Sequence, residues 1–504
     1  MLITGENLLK ILSGTNPWWR TGKLPMGHAK PVRRFAYYEG MKILQHPDIR
    51  RMVILTGARR IGKTTIMYQM IEDLLEQGVK PERIAYISFD HPLLKLCSFD
   101  VILDTYKQNI YPKDDVYFFF DEIQYTTDWD AWLKIIYDTN PHCRAVATGS
   151  ASPILADKAG ESGVGRWNSL AIPTLSFYEY CTLIGLDAPV LAPEIKPSGL
   201  RELPWQEQVM VFQKLSPLGK YFNHYLTTGG FPELALSSDE FYAQRVMRDD
   251  VVDKVLKRDI PSLFNIRSIL DLEKIFLYLC YNSSGIISME AISRELNGVS
   301  RPTVEKYIQY LESTNLIYVS NPIDIGGKKI LKSQPKIYIA DAAIRNAVVM
   351  QDDLLTNPTE MGIIVETAVY KHVRAFYSRM TANVGYLRNS GSGRNNRSNG
   401  KKNEIDIVVD YPGGNLRTAR SRRMMSNNHD LNNRILIEVK YREQYSIGGK
   451  DPIVSEAHKA ASSLLITKRE DDFGPLKAAP AVYRIPAYAF MYLLGHAEKT
   501  GYMN

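Results

Sequence analysis

The plainest chemistry in the chain lies at Met52-Val53-Ile54-Leu55-Thr56-Gly57-Ala58-Arg59-Arg60-Ile61-Gly62-Lys63-Thr64-Thr65. An apolar run ends in G-x-x-x-x-G-K-T and a helix-forming segment follows, the strand–loop–helix context of a phosphate-binding loop. Gly57 and Gly62 allow backbone geometry that other residues resist, so the N–H groups of Gly57 through Thr65 can turn inward on the phosphates of ATP. Lys63 would add a fixed charge for the β- and γ-phosphates. Thr64 would offer a hydroxyl to Mg²⁺, and the helix that begins here turns its positive end to the anion.

A second set of groups fits the first. Val116-Tyr117-Phe118-Phe119-Phe120 is a continuous apolar run, as expected of a strand buried on both faces, and it ends in Asp121-Glu122. Phosphoryl transfer needs a metal to neutralise charge and a group to orient the nucleophile, so Asp121 is expected to hold Mg²⁺, directly or through water, and Glu122 to polarise the attacking water. The next apolar run, Arg144-Ala145-Val146-Ala147-Thr148, leads into Gly149-Ser150. A polar residue at that tip is placed to sense the γ-phosphate; Ser150 takes that role, with Thr148 as the second choice.

A third cluster lies far along the chain. Glu404-Ile405-Asp406-Ile407-Val408-Val409 and Arg434-Ile435-Leu436-Ile437-Glu438-Val439-Lys440 both read as strands. Side chains alternate along a strand, so Glu438 and Lys440 share a face. Asp406, Glu438 and Lys440 then form a D…E-x-K pattern that resembles the PD-(D/E)xK nucleases. That resemblance implies a Mg²⁺ site on Asp406 and Glu438, a lysine that assists the nucleophile, and an extra acidic ligand at Glu366 on the preceding helix. An ordinary strand with solvated charges gives the same alternation, and domains of this kind are also kept for binding alone.

The elements that must position these groups alternate. Helices are expected over 64–77, 100–109 and 129–139 and strands at 84–88, 116–122 and 144–148, which together make a parallel α/β core. The strand-end Glu beside Asp121 points to the additional-strand, catalytic-glutamate branch of P-loop enzymes. Before the core, Trp18 and Trp19 are expected to pack the N-terminal arm onto it, and Arg33 and Arg34 read as surface charge, with places near the adenine or a neighbouring subunit as alternatives. Residues 184–262 read as a linker followed by helices, one over 241–257, serving as a lid or a spacer. Ser288 caps a short amphipathic helix, Asn297-Gly298-Val299 turns the chain, and Ser300 caps a second helix with Pro302 in its permissive first turn. With Leu316-Ile317-Tyr318-Val319 as a wing strand, this reads as a winged helix-turn-helix. Arg301, Thr303, Lys306 and Gln309 would face DNA, or the module would contact protein. A helix near 455–463 and a strand at 464–467 follow the D…E-x-K strands. Residues 389–403 and 417–423 are rich in Asn, Ser, Gly and basic groups; they read as loops, solvated or set against phosphates.

Gly57 through Thr65, Asp121-Glu122-Ile123-Gln124, Thr148-Gly149-Ser150, Glu161-Ser162-Gly163-Val164-Gly165-Arg166 and Leu175-Ser176-Phe177-Tyr178-Glu179 together resemble the archaeal and bacterial AAA-type ATPases that carry a C-terminal restriction-endonuclease-like domain. Thr227-Thr228-Gly229-Gly230-Phe231-Pro232-Glu233 resembles that family's link into its second half. The resemblance implies an α/β P-loop core, then a helical segment, a winged helix-turn-helix and an α/β nuclease-like domain. The expected boundaries are 1–183, 184–262, 263–330 and 331–504. It also marks Arg166 as the arginine to test on the γ-phosphate, in cis or across a subunit contact, against a purely structural role.

Composition sets the outer bounds. At 504 residues the chain is long enough for about three or four domains. A formal net charge of +7 is compatible with nucleic acid without requiring it. Cys97, Cys143, Cys181 and Cys280 are too scattered for a disulfide framework or a zinc site, which fits a reducing cytoplasm. No apolar run reaches the roughly 18 residues of a membrane span. The leading expectation is a cytoplasmic, Mg²⁺-dependent ATP hydrolase that acts with DNA, capable of self-association and of nuclease activity. The alternative is a nucleotide-switched scaffold whose C-terminal modules bind protein.

Overall fold

The computed structural model describes residues 4–149, 165–296, 298–323, 334–350, 354–380, 382–388, 404–411 and 433–503. Two compact units divide the chain between Pro173 and Thr174. The expected boundary at 183 therefore falls ten residues late. The reason is local: Ser176 caps the helix Phe177–Leu183 in a reciprocal capping box with Glu179, and Phe177 and Tyr180 are buried in the second unit's core.

The first unit is built on a five-stranded parallel sheet. Its strands are β1 (Met52–Thr56), β2 (Ile84–Ser88), β3 (Tyr117–Asp121), β4 (Arg144–Gly149) and β5 (Trp167–Ala171), in the order β2-β3-β4-β1-β5. Each of β1 to β4 is an almost wholly apolar, buried run, as a strand covered on both faces must be. β4 stands between the strand that feeds the glycine loop and the strand that ends in Asp121, so an additional strand separates the two halves of the site. The helices Lys63–Glu76, Phe99–Asn109 and Trp129–Thr139 lie within a residue of their expected spans. The N-terminal arm covers the free edge of β2. Asn16 pairs with both backbone groups of Tyr86, at 2.6 and 2.8 Å, while the indole N–H groups of Trp18 and Trp19 donate to the Ile84 carbonyl at 3.0 and 2.8 Å. An exposed strand edge is a template for unwanted pairing, and here side chains close it.

Among the described residues the second unit holds two sheets. Its helical part includes Trp205–Leu215, Phe222–Thr228 and Glu240–Val246. The helix expected over 241–257 continues from Glu240–Val246 with π-type winding over Met247–Asp253 and Val255–Asp259. Next come the helices Ile269–Tyr281, Met289–Glu295 and Arg301–Ser313. They are joined to a three-stranded antiparallel sheet of β6 (Gly285–Ile286), β7 (Ile317–Ser320) and β8 (Lys336–Ile339), ordered β6-β8-β7. Ser288 accepts from the Ala291 N–H at the start of its helix, and Ser300 from the Thr303 N–H, as their types predict. β8 thus completes this sheet, although it lies beyond the expected boundary at 330.

The last sheet has six strands: β9 (Asn383–Arg388), β10 (Glu404–Asp410), β11 (Arg434–Lys440), β12 (Ser462–Thr467), β13 (Gly474–Leu476) and β14 (Ala479–Pro486), ordered β13-β14-β12-β11-β10-β9. β9, β10 and β11 form an antiparallel meander, and β12 and β14 then run parallel to β11. One core joins Ile364, Val365 and Val369 of the helix Pro358–Tyr377 to Ile407, Ile437 and Leu464 of the sheet. Where a helix over 455–463 is expected, the chain forms only Pro452–Ser455 and a 3-10 turn at Ala457–Lys459; Ser462 and Ser463 already belong to β12. The Gly229-Gly230 turn is fixed by a buried carboxylate: Asp341 accepts from Thr174 Oγ1 at 2.6 Å, Lys371 Nζ at 3.1 Å and the Gly230 N–H at 3.2 Å. Gly229 has φ +72°, and a Cβ there would stand 2.4 Å from Asp341 Oδ1, so only glycine fits.

Candidate nucleotide site

The loop after β1 has the geometry that its glycines imply. Gly57 has φ +150°, and a Cβ on it would meet the Ile172 carbonyl oxygen at 2.4 Å; Gly62 has φ +94° and Arg60 φ +62°. Arg34, expected at the surface, is instead buried beneath the loop. Its guanidinium donates to the Ile61 carbonyl at 3.0 Å and the Pro173 carbonyl at 2.8 Å. Two carbonyl partners offset the cost of burying a guanidinium, and the arginine props the loop from below. Lys63 is buried, with Nζ donating to the carbonyls of Gly57 at 3.0 Å and Ala58 at 2.9 Å. No side chain caps the first turn of the helix Lys63–Glu76, in contrast to the serine-capped helices of the second unit. That first turn is where a phosphate fits.

Asp121 is where the strands converge. It is buried; Oδ2 accepts from Thr64 Oγ1 at 2.9 Å and from the Tyr86 hydroxyl at 2.7 Å, and Oδ1 accepts from Thr148 Oγ1 at 2.5 Å. Thr148 also accepts from the Glu122 N–H at 2.9 Å, which holds Glu122 in the left-handed region at φ +53°. The Glu122 carboxylate in turn accepts from Gln124 Nε2 at 2.5 Å. The Thr64 hydroxyl and the Asp121 carboxylate already meet, so the donor set suits the Mg²⁺ that accompanies a nucleotide. Burial and the neighbouring Asp121 carboxylate push the Tyr86 hydroxyl well above its ordinary pKa, so it stays a donor.

Two expected residues fare differently. Ser150 lies outside the described residues, as do Glu161 to Val164; at the strand tip Thr148 contacts the Asp121 carboxylate and the Glu122 N–H. Arg166 needs a correction. The Met52 N–H donates to its carbonyl at 3.0 Å, which sets it at the opposite end of β1 from Gly57. A strand of this length spans about 16 Å. Its guanidinium pairs with Asp138 through Nε at 3.0 Å and Nη2 at 3.1 Å. A role on the γ-phosphate of its own chain does not fit this placement. Sequence reasoning missed Tyr86, although a tyrosine two residues before the end of the strand that flanks β3 was the available signal.

In the second unit, Glu366, Asp406, Glu438 and Lys440 come together. The Val439 N–H donates to Asp406 Oδ2 at 2.9 Å, the Asp406 N–H to Glu438 Oε2 at 3.4 Å, and Lys440 Nζ to Glu438 Oε1. Lys336, from β8, is the unexpected member. Its amine lies 3.2 Å from Glu366 Oε1, 2.5 Å from Glu404 Oε1 and 3.5 Å from Asp406 Oδ1, and the Tyr338 hydroxyl donates to Glu366 at 3.0 Å. Burial, reinforced by Asp406, raises the Glu366 carboxyl to about 7 and the Glu438 carboxyl to about 8. Among the described residues, no group of three or more His, Cys, Asp or Glu is placed to hold a metal ion. The expected Mg²⁺ site on Glu366, Asp406 and Glu438 does not fit this arrangement, because lysine amines and backbone N–H groups already satisfy the carboxylates.

A family model described as an AAA domain matches residues 49–181, and a domain of unknown function, DUF8612, matches residues 219–355. The chain is 24% identical over 436 residues to an uncharacterised protein of Haemophilus influenzae, covering 82% of this chain and 95% of that protein. It is 25% identical over 328 residues to an uncharacterised protein of Methanocaldococcus jannaschii, covering 64% of this chain and 66% of that one. Among solved structures, Aeropyrum pernix ORC2 in its ADPNP-ADP complexes aligns at 10% identity with a TM-score of 0.35, covering 71% of this chain and 98% of that one. The Thermotoga maritima RuvB Holliday junction branch migration motor aligns at 16% identity with a TM-score of 0.25, covering 66% of this chain and 96% of that one. The segment that resembles an AAA domain holds both the glycine loop and the Asp121 cluster on the five-stranded sheet. Among the described residues no helix is long and apolar enough to cross a membrane.

Proposed function

We propose that the chain binds ATP with Mg²⁺ and hydrolyses it, and that the nucleotide state governs nucleic-acid-binding modules in the second unit. The observation that carries the hydrolytic part is the convergence of Thr64, Tyr86 and Thr148 on Asp121, with Glu122 held beside it. In this reading Gly57 through Thr65 hold the phosphates, and Lys63 leaves the loop carbonyls for the β- and γ-oxygens. Glu122 orients the attacking water, while Thr148 fixes its backbone. Bound Mg²⁺ would supply neutralisation of the phosphate charge. Arg166 could reach a nucleotide only on another copy of the chain.

The helices Met289–Glu295 and Arg301–Ser313 with β6, β7 and β8 read as a winged helix-turn-helix. Arg301, Lys306 and Gln309 are exposed on its second helix, with Thr303 half-buried, which suits contact with DNA. The helix Pro358–Tyr377 and β9 to β14 read as a nuclease-like fold. A second reading, a scaffold that binds protein, is favoured by one observation: Arg301 is engaged by the carboxylates of Glu290 and Glu305, which compete with phosphate for its charge. Titration with duplex DNA at increasing salt separates the two. The DNA reading expects affinity that falls steeply with salt and weakens in Lys306→Ala. No affinity at low salt supports the scaffold. For the nucleotide site, MgATP should raise the thermal stability of the wild type and not of Lys63→Ala; an equal rise in both would contradict it.

A further inference from the structure

Lys336 is the least expected charge in the molecule. Its side chain is only 3% exposed, and three carboxylates surround its amine: Glu366 from the helix Pro358–Tyr377, and Glu404 and Asp406 from β10. A buried ammonium is tolerated only where partners compensate it, and without the amine these three carboxylates would lose the cation they share. The position is set from outside the six-stranded sheet. β8 pairs with β7 from Ile317↔Ile339 to Ser320↔Lys336, and with β6 at Ile286↔Lys336, so two flanking strands hold the lysine's backbone. Tyr338, two residues on and therefore on the same face of β8, adds a second donor to Glu366.

We propose that Lys336 is a built-in counter-cation that takes the place of a divalent metal in this carboxylate cluster and pins the three-stranded sheet to the six-stranded one. As folded, the cluster does not take up Mg²⁺ or Mn²⁺, and removing the Lys336 amine exposes a latent divalent-cation site on Glu366, Glu404 and Asp406. The oxygens now stand 2.5 to 3.5 Å from the amine. They would have to draw in to the roughly 2.1 Å of a Mg²⁺–oxygen bond. The inference stands apart from the nucleotide reading, since it concerns no residue of the P-loop domain.

The test is Mn²⁺ binding without nucleotide, followed by electron paramagnetic resonance of the free ion, on the full chain. Wild type and Lys336→Arg are expected to show no Mn²⁺ uptake that Asp406→Asn removes. Lys336→Met is expected to bind one extra Mn²⁺ per chain, at least tenfold more tightly than wild type, and to gain thermal stability from Mn²⁺ where wild type does not. Stoichiometric uptake by wild type that disappears in Asp406→Asn would overturn the proposal. So would a folded Lys336→Met that takes up no more Mn²⁺ than wild type. Should Lys336→Met not fold, Lys336→Gln removes the charge with a polar side chain and is read by the same two outcomes.

Discussion

Replacing Thr148 with valine removes one hydroxyl and almost no volume, so it probes the Asp121–Glu122 link without opening a cavity. Two hydrogen bonds go. One is donated to the Asp121 carboxylate at 2.5 Å, and the other is accepted from the Glu122 N–H at 2.9 Å. A bond to a charged group is worth about 1.5–3 kcal/mol and a neutral one about 1 kcal/mol, so the pair contributes about 3 kcal/mol. If that were all felt in the transition state, kcat would fall about 150-fold, since about 1.4 kcal/mol is a factor of ten. Part of the loss falls on stability instead, because Thr148 is buried and the bonds exist before nucleotide arrives. The expected result is a drop in kcat for ATP of about 10- to 100-fold. Nucleotide affinity should stay within about threefold, because these two partners of Thr148 lie at the end of β3 and not on the glycine loop. Thr148→Ser keeps the hydroxyl and should recover most of the rate. Steady-state hydrolysis with nucleotide affinity measured separately decides the matter. A Thr148→Val rate within threefold of wild type, or a loss confined to affinity, would refute the role given to this residue.

Other consequences follow from the same geometry. Gly57→Ala places a methyl group against the Ile172 carbonyl, and the thermal shift given by MgATP should disappear. Trp18→Ala empties a fully buried site and removes a hydrogen bond to Ile84. It should cost about 3–5 kcal/mol in denaturant unfolding of the first unit. Glu366 and Glu438 hold protons more tightly folded than unfolded, because burial lifts them from 4.5 to about 7 and about 8. Their contribution is therefore favourable at low pH and is lost as pH rises from about 4.5 toward 8. Glu366→Gln fixes the neutral form, so its stability relative to wild type should rise between pH 5 and pH 8; a flat or falling difference in thermal melts would contradict the burial of that carboxyl.

Much of the first unit was legible because a buried parallel strand is a short apolar run with a sharp end: Ile84–Ser88 occurs as its residues predict, and Tyr117–Asp121 and Arg144–Gly149 differ from expectation only at their ends. The glycine loop and the two carboxylates were legible because each chemical role admits few residue types at fixed spacing. What escaped depended on partners far away in sequence. Nothing local marks Arg34 as buried, since its partners are carbonyls at Ile61 and Pro173. Arg166 lies close to motif residues in sequence, but only strand direction shows that it belongs to the far end of the sheet. Lys336 reads as one charge in an alternating strand until β8 is paired with β7 and its amine meets Glu366 of the helix Pro358–Tyr377 and Glu404 and Asp406 of β10. Glu438 and Lys440 share a face as alternation requires, yet alternation could not reveal that a second amine, that of Lys336, already occupies the cluster.

In the proposed function the Asp121–Glu122 strand end turns a phosphate-binding loop into a hydrolytic site. The direct test is single-turnover hydrolysis of radiolabelled ATP by wild type and Glu122→Gln at saturating enzyme with Mg²⁺. Both proteins are expected to bind ATP with similar affinity, wild type to release phosphate, and Glu122→Gln to trap unhydrolysed ATP with at least a 100-fold slower rate. Equal rates in the two proteins, or no phosphate release from wild-type-bound ATP with or without DNA, would contradict it.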